Sequence, residues 1–340
     1  MKLLSYKNIK ILLFLFLIVL TLSSCKEKKV EEETTVKTEE SIEETSETLE
    51  PEVIDTTTPI FIEKIKIDMS IPYATYSVIN EGEATLYRQN ENFDEEIIKN
   101  TFSVVPGFDL ERFKKNNKIV VAVNAGHGTK NKQKLKTYSH PDFSPKVSGG
   151  TTKEGSIYSS AISDGMTFLN GMLEADANLL VATKLKDQLL IYGYSVLMLR
   201  EDEEVRLDNV ARTVLANEYA DLHVAIHFDS TDYEKGIFFV VPYTDENYLN
   251  MEPLKDNALN ITNFGKCIIN SFKDLGEKIW HGSGMLLGDL TQISYSTNPS
   301  VDIELGDRKT NVTEERALTF ALGIKNGVDA YVSEYILKNN

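Results

Sequence analysis

An α/β domain with a doubly wound, mostly parallel sheet and helices on both faces is predicted for residues 118–340. Three observations predict it. Short β-branched apolar runs alternate with amphipathic stretches, as in successive βαβ units. Three of those runs stop at residues suited to metal chemistry: Ile119–Val123 leads to His127, Leu222–Ile226 to His227, and Val301–Ile303 to Glu304. The length, about 220 residues, is ample for one such domain. Open α/β sheets place their chemistry at the carboxyl ends of strands. Two histidines and a carboxylate delivered there predict a metal site assembled by the fold.

Taken in order, the chain begins with an address. Lys2, Lys7 and Lys10 precede the apolar run Ile11–Leu20, and Leu22-Ser23-Ser24-Cys25 follows. The run falls short of the ~20 apolar residues that a membrane span needs, so residues 1–24 read as a secretory signal peptide. Its ending resembles a bacterial lipobox, which makes Cys25 the expected lipidated first residue of a membrane-anchored lipoprotein. The plainer alternative is an ordinary signal peptide beside an incidental cysteine. Cys267 is the only other cysteine, so acylation of Cys25 rules out an intramolecular disulfide.

Residues 25–59 read as a disordered acidic tether. From Lys26 to Pro59 there are twelve acidic residues, four lysines, eight threonines and no aromatic residue. Such a stretch cannot bury enough apolar surface to offset its ordering entropy. It carries −8 of the chain's formal charge of −16, and self-repulsion extends it. No basic run or patch stands out, so nucleic acid is not an expected partner.

Residues 60–117 form a small N-terminal segment of unassigned role. Strands are expected over Ile62–Ile67 and Thr75–Ile79, and a helix from Asp94. In the main domain the clearest helix is Glu174–Tyr192, where Ala177, Val181, Leu185 and Leu189 recur every four residues before Gly193. A strand over Ser195–Leu199, a helix over Leu207–Tyr219 and the His227 strand follow. Gly236–Val241 reads as a strand, Lys255–Asp274 as a helix, and Thr313–Ile336 as the last helix.

Five segments then fall in one order: NAGHG, EADANLLVATKLKDQL, GYSVLMLRED, RTVLANEYADLHVAIH and PSVDIELG. In that order, from residue 118 to 337, they resemble the zinc-dependent N-acetylmuramoyl-L-alanine amidases. The resemblance implies Zn2+ held by His127, Glu174 and His227, with Glu304 as the catalytic carboxylate. It also implies the substrate: peptidoglycan, cut at the amide between N-acetylmuramic acid and the L-alanine of the stem peptide. The chemistry is coherent without the family. Two imidazoles and a carboxylate leave one zinc position for water. Zinc lowers that water's pKa to about 7 and polarises the scissile carbonyl. A second carboxylate must then pass the proton to the leaving amine.

Each residue also has a duller reading. His127 could sit beside a turn, Glu174 could favour a helix N-terminus, and Glu304 could be a solvent-facing strand end. His223 stands four residues before His227, but the Val224-Ala225-Ile226 run between them belongs to a strand. His223 is therefore expected to be packed and hydrogen-bonded, not a ligand. His140 and His281 fall in loops and are expected to do nothing catalytic. Asp302 shares an alternating face with Glu304 and is expected to bond locally.

Two departures from the family pattern stand out. Glu174 lies 47 residues beyond His127, across an insertion at 129–173 that also contains Glu154. Glu174 is the preferred ligand because the helix after it keeps the family pattern. A loop of this length is expected to line the substrate cleft or act as a lid. Asp307-Arg308-Lys309 follows where relatives tend to be apolar, which predicts a different rim. The expected protein is an extracytoplasmic, membrane-tethered zinc amidase, with room for an unidentified activator protein. The alternatives are a zinc peptidase cutting within the stem peptide and a non-catalytic wall-binding lipoprotein.

Overall fold

The computed structural model describes residues 60–102, 104–105, 108–128 and 134–338. The expected signal peptide, Cys25 and the tether lie outside the described residues. No described helix is long and apolar enough to cross a membrane.

Residues 60–117 supply β1 (Ile60–Lys66), β2 (Glu83–Gln89), and helices α1 (Glu95–Phe102) and α2 (Leu110–Asn116). The strand expected over Thr75–Ile79 is absent. A short 3-10 turn, Ala74–Tyr76, occupies its start. The backbone N–H groups of Val78 and Ile79 and the Ser77 hydroxyl then donate to the Asp208 carboxylate, leaving little for a ladder. After β3 (Val120–Ala125), the insertion contributes the small hairpin β4 (Lys136–Tyr138) and β5 (Tyr158–Ser160). Helix α3 (Glu174–Ile191) follows, then β6 (Ser195–Met198), α4 (Asn209–Tyr219), β7 (Leu222–Asp229) and β8 (Phe238–Pro242). Helix α5 (Ala258–Asp274), β9 (Met285–Gly288), α6 (Thr291–Ser294), β10 (Ser300–Asp307) and α7 (Glu314–Tyr331) complete the chain.

One eight-stranded sheet organises the domain, in the order β1-β2-β6-β3-β7-β10-β8-β9. Its centre, β6-β3-β7-β10, is parallel, as the βαβ pattern predicts. Val121, Ala122, Val123, Leu222, Val224 and Ile226 are fully buried, which is what a strand covered on both faces requires. Strand β8 instead runs antiparallel to β10. No helix separates β7 from β8, and without a crossover the chain can only reverse.

Helices cover both faces. The predicted stripe Ala177, Val181, Leu185 and Leu189 of α3 is completely buried, and α3, α5 and α7 pack together on one face. On the other face Val210, Ala211 and Val214 of α4 share a core with Ala122, Leu197, Ala84 and Leu86. Parallel partners share a face, and the register pairs Ala122 with His223 and His227 with Glu304. Alternation therefore turns His227, Asp302 and Glu304 to the α4 side, at the sheet's carboxyl edge. His227 and Glu304 lie in the last turns of their strands, not beyond them.

Candidate metal centre

His127 leaves β3 on a backbone bent to φ 62, a left-handed conformation that a non-glycine residue adopts only when its surroundings hold it. Two buried arginines do the holding. Arg212 donates to the carbonyls of Ala125 at 3.1 Å and His127 at 3.0 Å. Arg200 donates to those of Ala125 at 3.0 Å and Gly126 at 3.1 Å, and to Ala175 O of α3 at 2.8 Å. Five-donor guanidinium groups suit this work because they can span several carbonyls in fixed geometry. Burial pushes Arg200 down to about 10 and Arg212 to about 9. Gly126 has a separate reason. A Cβ there would sit 2.2 Å from His227 Cε1, so only glycine lets the two strand ends close on each other.

The three predicted ligands converge. His127 Nε2 lies 2.8 Å from Glu174 Oε1 and 3.0 Å from His227 Nδ1, and His227 Nδ1 lies 3.3 Å from the same carboxylate oxygen. Among the described residues these three form the group able to hold a metal ion. Zinc bonds of ~2.0–2.1 Å in a tetrahedron put donors roughly 3.3 Å apart, so the set is close to the size of the ion. Donor orientation agrees. His127 Nδ1–H donates to Ser163 O at 3.0 Å, which turns the Nε2 lone pair inward. Glu174 accepts from Met166 N at 2.8 Å and Phe228 N at 3.0 Å, which holds its carboxylate against both imidazoles.

The electrostatics favour a cation. Burial alone would push His227 down, but Asp302, then Glu174 and Glu304, lift it to about 9. Burial would likewise lift Glu174, yet the two imidazoles hold it well below the usual carboxylate range. Burial and the neighbouring Asp302 push Glu304 well above that range, and its Oε2 is buried without a hydrogen-bond partner. Asp302 accepts from Gln292 Nε2 at 2.6 Å and stands 3.7 Å from His227 Nε2. It therefore bonds locally and also borders the site.

All these groups line one cleft of about 540 Å³. The insertion adds Lys146, Gly149–Thr152, Ser159, Ser160 and Ser163 to its lining. Gly165 closes over His127 and Glu174. A Cβ on it would meet His127 Cδ2 at 2.6 Å and Glu174 Oε2 at 2.8 Å. Glu154 is exposed and outside this group. His223 is packed as expected. It shares a 3.1 Å hydrogen bond with Ser300 Oγ, and burial, with Arg212 beside it, pushes it down to about 3. His140 takes a structural part. With Lys146, Ser148 and Val147 N it surrounds the buried Asp289, fastening the insertion to the loop after β9. His281 is exposed against Trp280.

Nothing in the sequence pattern announces the arginine clamp, although Arg200 lies in GYSVLMLRED and Arg212 opens RTVLANEYADLHVAIH. The nearest thing to a signal is a lone arginine ending a strand run, as Arg200 does. Arg308 explains the departure after Glu304. It donates to Thr167 O at 3.0 Å and pairs with Asp232 at 2.7 Å, tying the end of the insertion to the strand rim.

The family profile for N-acetylmuramoyl-L-alanine amidase matches residues 121–329. No curated protein matches the chain. Among solved structures, the fold is similar to the apo form of the N-acetylmuramyl-L-alanine amidase Ami1 from Mycobacterium abscessus, at 20% identity and a TM-score of 0.50. That likeness covers 63% of this chain and 98% of the other. The Ami1 amidase from Mycobacterium smegmatis is similar at 17% identity and a TM-score of 0.50, over 63% and 97% of the two chains. The profile spans more than half of the sequence, from β3 to the last turn of α7, and the chain belongs to the N-acetylmuramoyl-L-alanine amidase family.

Proposed function

We propose that this amidase works with one zinc ion held by His127, Glu174 and His227, and that Glu304 carries the proton. Family membership gives the reaction: hydrolysis of the amide between N-acetylmuramic acid and L-alanine in peptidoglycan, outside the cytoplasm. What supports the metal reading is the convergence of two imidazole nitrogens and a carboxylate oxygen within 3.3 Å. Bound zinc supplies Lewis acidity that activates water and polarises the scissile carbonyl. The chain's own residues do the rest. Ser163 O and the Met166 and Phe228 amides fix the donors. Glu304, beside His227 in the sheet, accepts the proton from water and returns it to the leaving nitrogen of L-alanine.

The test is product analysis. Peptidoglycan digested by the purified protein should yield stem peptides whose new amino terminus is L-alanine, seen by N-terminal labelling and mass spectrometry. New termini elsewhere in the stem would instead identify a peptidase. No new termini would identify a wall-binding protein.

The same proposal covers the address: residues 1–24 as a lipoprotein signal peptide, 25–59 as an acidic tether, and 118–340 as the catalytic domain behind them. What supports it is the Leu22-Ser23-Ser24-Cys25 ending after a short apolar run. Two lipid chains on one cysteine anchor stably where one does not. Cys25→Ser should therefore move the protein from the membrane to the soluble fraction. Unchanged fractionation, with no acyl mass on the mature N-terminal peptide, would refute the anchor.

A further inference from the structure

We propose that the outward face of the β4–β5 hairpin is a glycan-binding strip, on which sugar rings flanking the cleaved muramic acid stack as the strand leaves the cleft. This rests on the amidase reading above. The hairpin pairs Lys136 with Ser160, Thr137 with Ser159 and Tyr138 with Tyr158. Side chains alternate along a strand, so the ladder has two unlike faces. Thr137 and Ser159 turn inward and are buried. Thr137 donates to Tyr76 O at 2.6 Å, and Ser159 shares a 2.7 Å hydrogen bond with Ser139. Ser159 and the outward-facing Ser160 both line the cleft, so the outward face starts at the cleft's edge. About 7 Å further along comes the Tyr138–Tyr158 pair, with ring centroids 4.9 Å apart. Phe143 sets its ring edge-on to Tyr138 at 4.4 Å. Tyr158 is 51% exposed and Phe143 46%.

This arrangement inverts the ordinary use of a hairpin. A one-residue shift of register would bury the rings and expose the small hydroxyl residues. The chain keeps the opposite, and it holds the exposed Phe143 at φ 65, where an L residue is strained. Tyr158 and Phe143 are joined through the partly exposed Tyr138, and apolar rings gathered at a surface in this way suit a binding surface. Their chemistry selects the occupant. Flat apolar ring faces beside the polar Lys136 and Ser160 suit the C–H faces and hydroxyls of neutral pyranose rings. Their continuity with the cleft through β5 selects it again. The muramic acid whose amide is cut occupies the cleft, and its glycan strand must run outward along one of the walls.

The experiment compares the wild type with a Tyr158→Ala/Phe143→Gly double variant and a Tyr158→Phe variant. Glycine suits φ 65, and both side chains are about half exposed, so the fold should hold. Thermal unfolding checks this. The first readout is the affinity for glycan chains stripped of stem peptides, which offer no bond to cleave. The double variant should bind about tenfold more weakly, as expected for two lost aromatic contacts, and Tyr158→Phe should bind like wild type. The second readout is the ratio of cleavage rates on intact peptidoglycan and on a single-sugar muramoyl dipeptide, which should fall about tenfold. Unchanged glycan affinity, or equal loss on both substrates, overturns the strip. A wild-type dimer that becomes monomeric in the double variant with glycan binding intact overturns it too, since a second copy would then be the occupant. A wild type that cleaves neither substrate defeats the amidase reading, while glycan affinity still decides the strip.

Discussion

Glu304→Gln should lower the release of L-alanine amino termini from peptidoglycan by ~10²–10⁴-fold, the usual share of general acid–base catalysis. The substitution keeps shape and polarity but removes the ability to accept a proton. Zinc content should stay near one per chain, because the three donors converge without Glu304. Thermal stability should change little. Glu304 Oε2 has no hydrogen-bond partner to lose, and the strand register around it depends on backbone bonds to β7 and β8. Full activity in the variant would move the proton to another group. Asp302 is then the first candidate, since it shares the cleft and stands 3.7 Å from His227 Nε2.

His127→Ala and Glu174→Ala should each abolish activity and most zinc binding. Two remaining donors cannot complete the set that a catalytic zinc needs. The loss of affinity should exceed the roughly 10–100-fold that an outer partner costs. Stability should respond as well. A wild type holding zinc at one hundred times its Kd gains ~2.7 kcal/mol, which a chelator removes and the variants lack from the start. Elemental analysis and thermal unfolding with and without chelator measure both effects. Glu154→Ala serves as the control, because that carboxylate is exposed and away from the centre. Full zinc in Glu174→Ala, with loss in Glu154→Ala, would move the ligand into the insertion.

Local physics made much of this protein legible in its sequence. The four-residue recurrence in α3 announces a buried stripe, and those four residues are fully buried. The β-branched runs before His127, His227 and Glu304 announce central strands, and the parallel centre of the sheet contains all three. Periodicity is a property of neighbouring residues, so it survives in one dimension. The direction of β8 could also have been read, because no helical stretch precedes it.

Only the tertiary structure decided the rest. Sequence favours Glu174 over Glu154 through the helix after it, but the insertion's path, which brings Glu174 within 2.8 Å of His127 and leaves Glu154 exposed, is set in space. Arg200 and Arg212 read as ordinary polar residues until the turn they clamp lies between them. Asp208 caps α4 and also ties residues 77–79 onto the domain, a partnership across about 130 positions that nothing local announces. The β4–β5 hairpin has strands of three residues, too short for any alternation to stand out. Which of its faces is turned outward is set by Thr137 and Ser139, whose partners Tyr76 and Ser159 lie 61 and 20 residues away. Sequence therefore determined the elements and the donors they carry. The pairing of residues remote in the chain determined the site, because burial and hydrogen bonding are satisfied in space and not along the backbone.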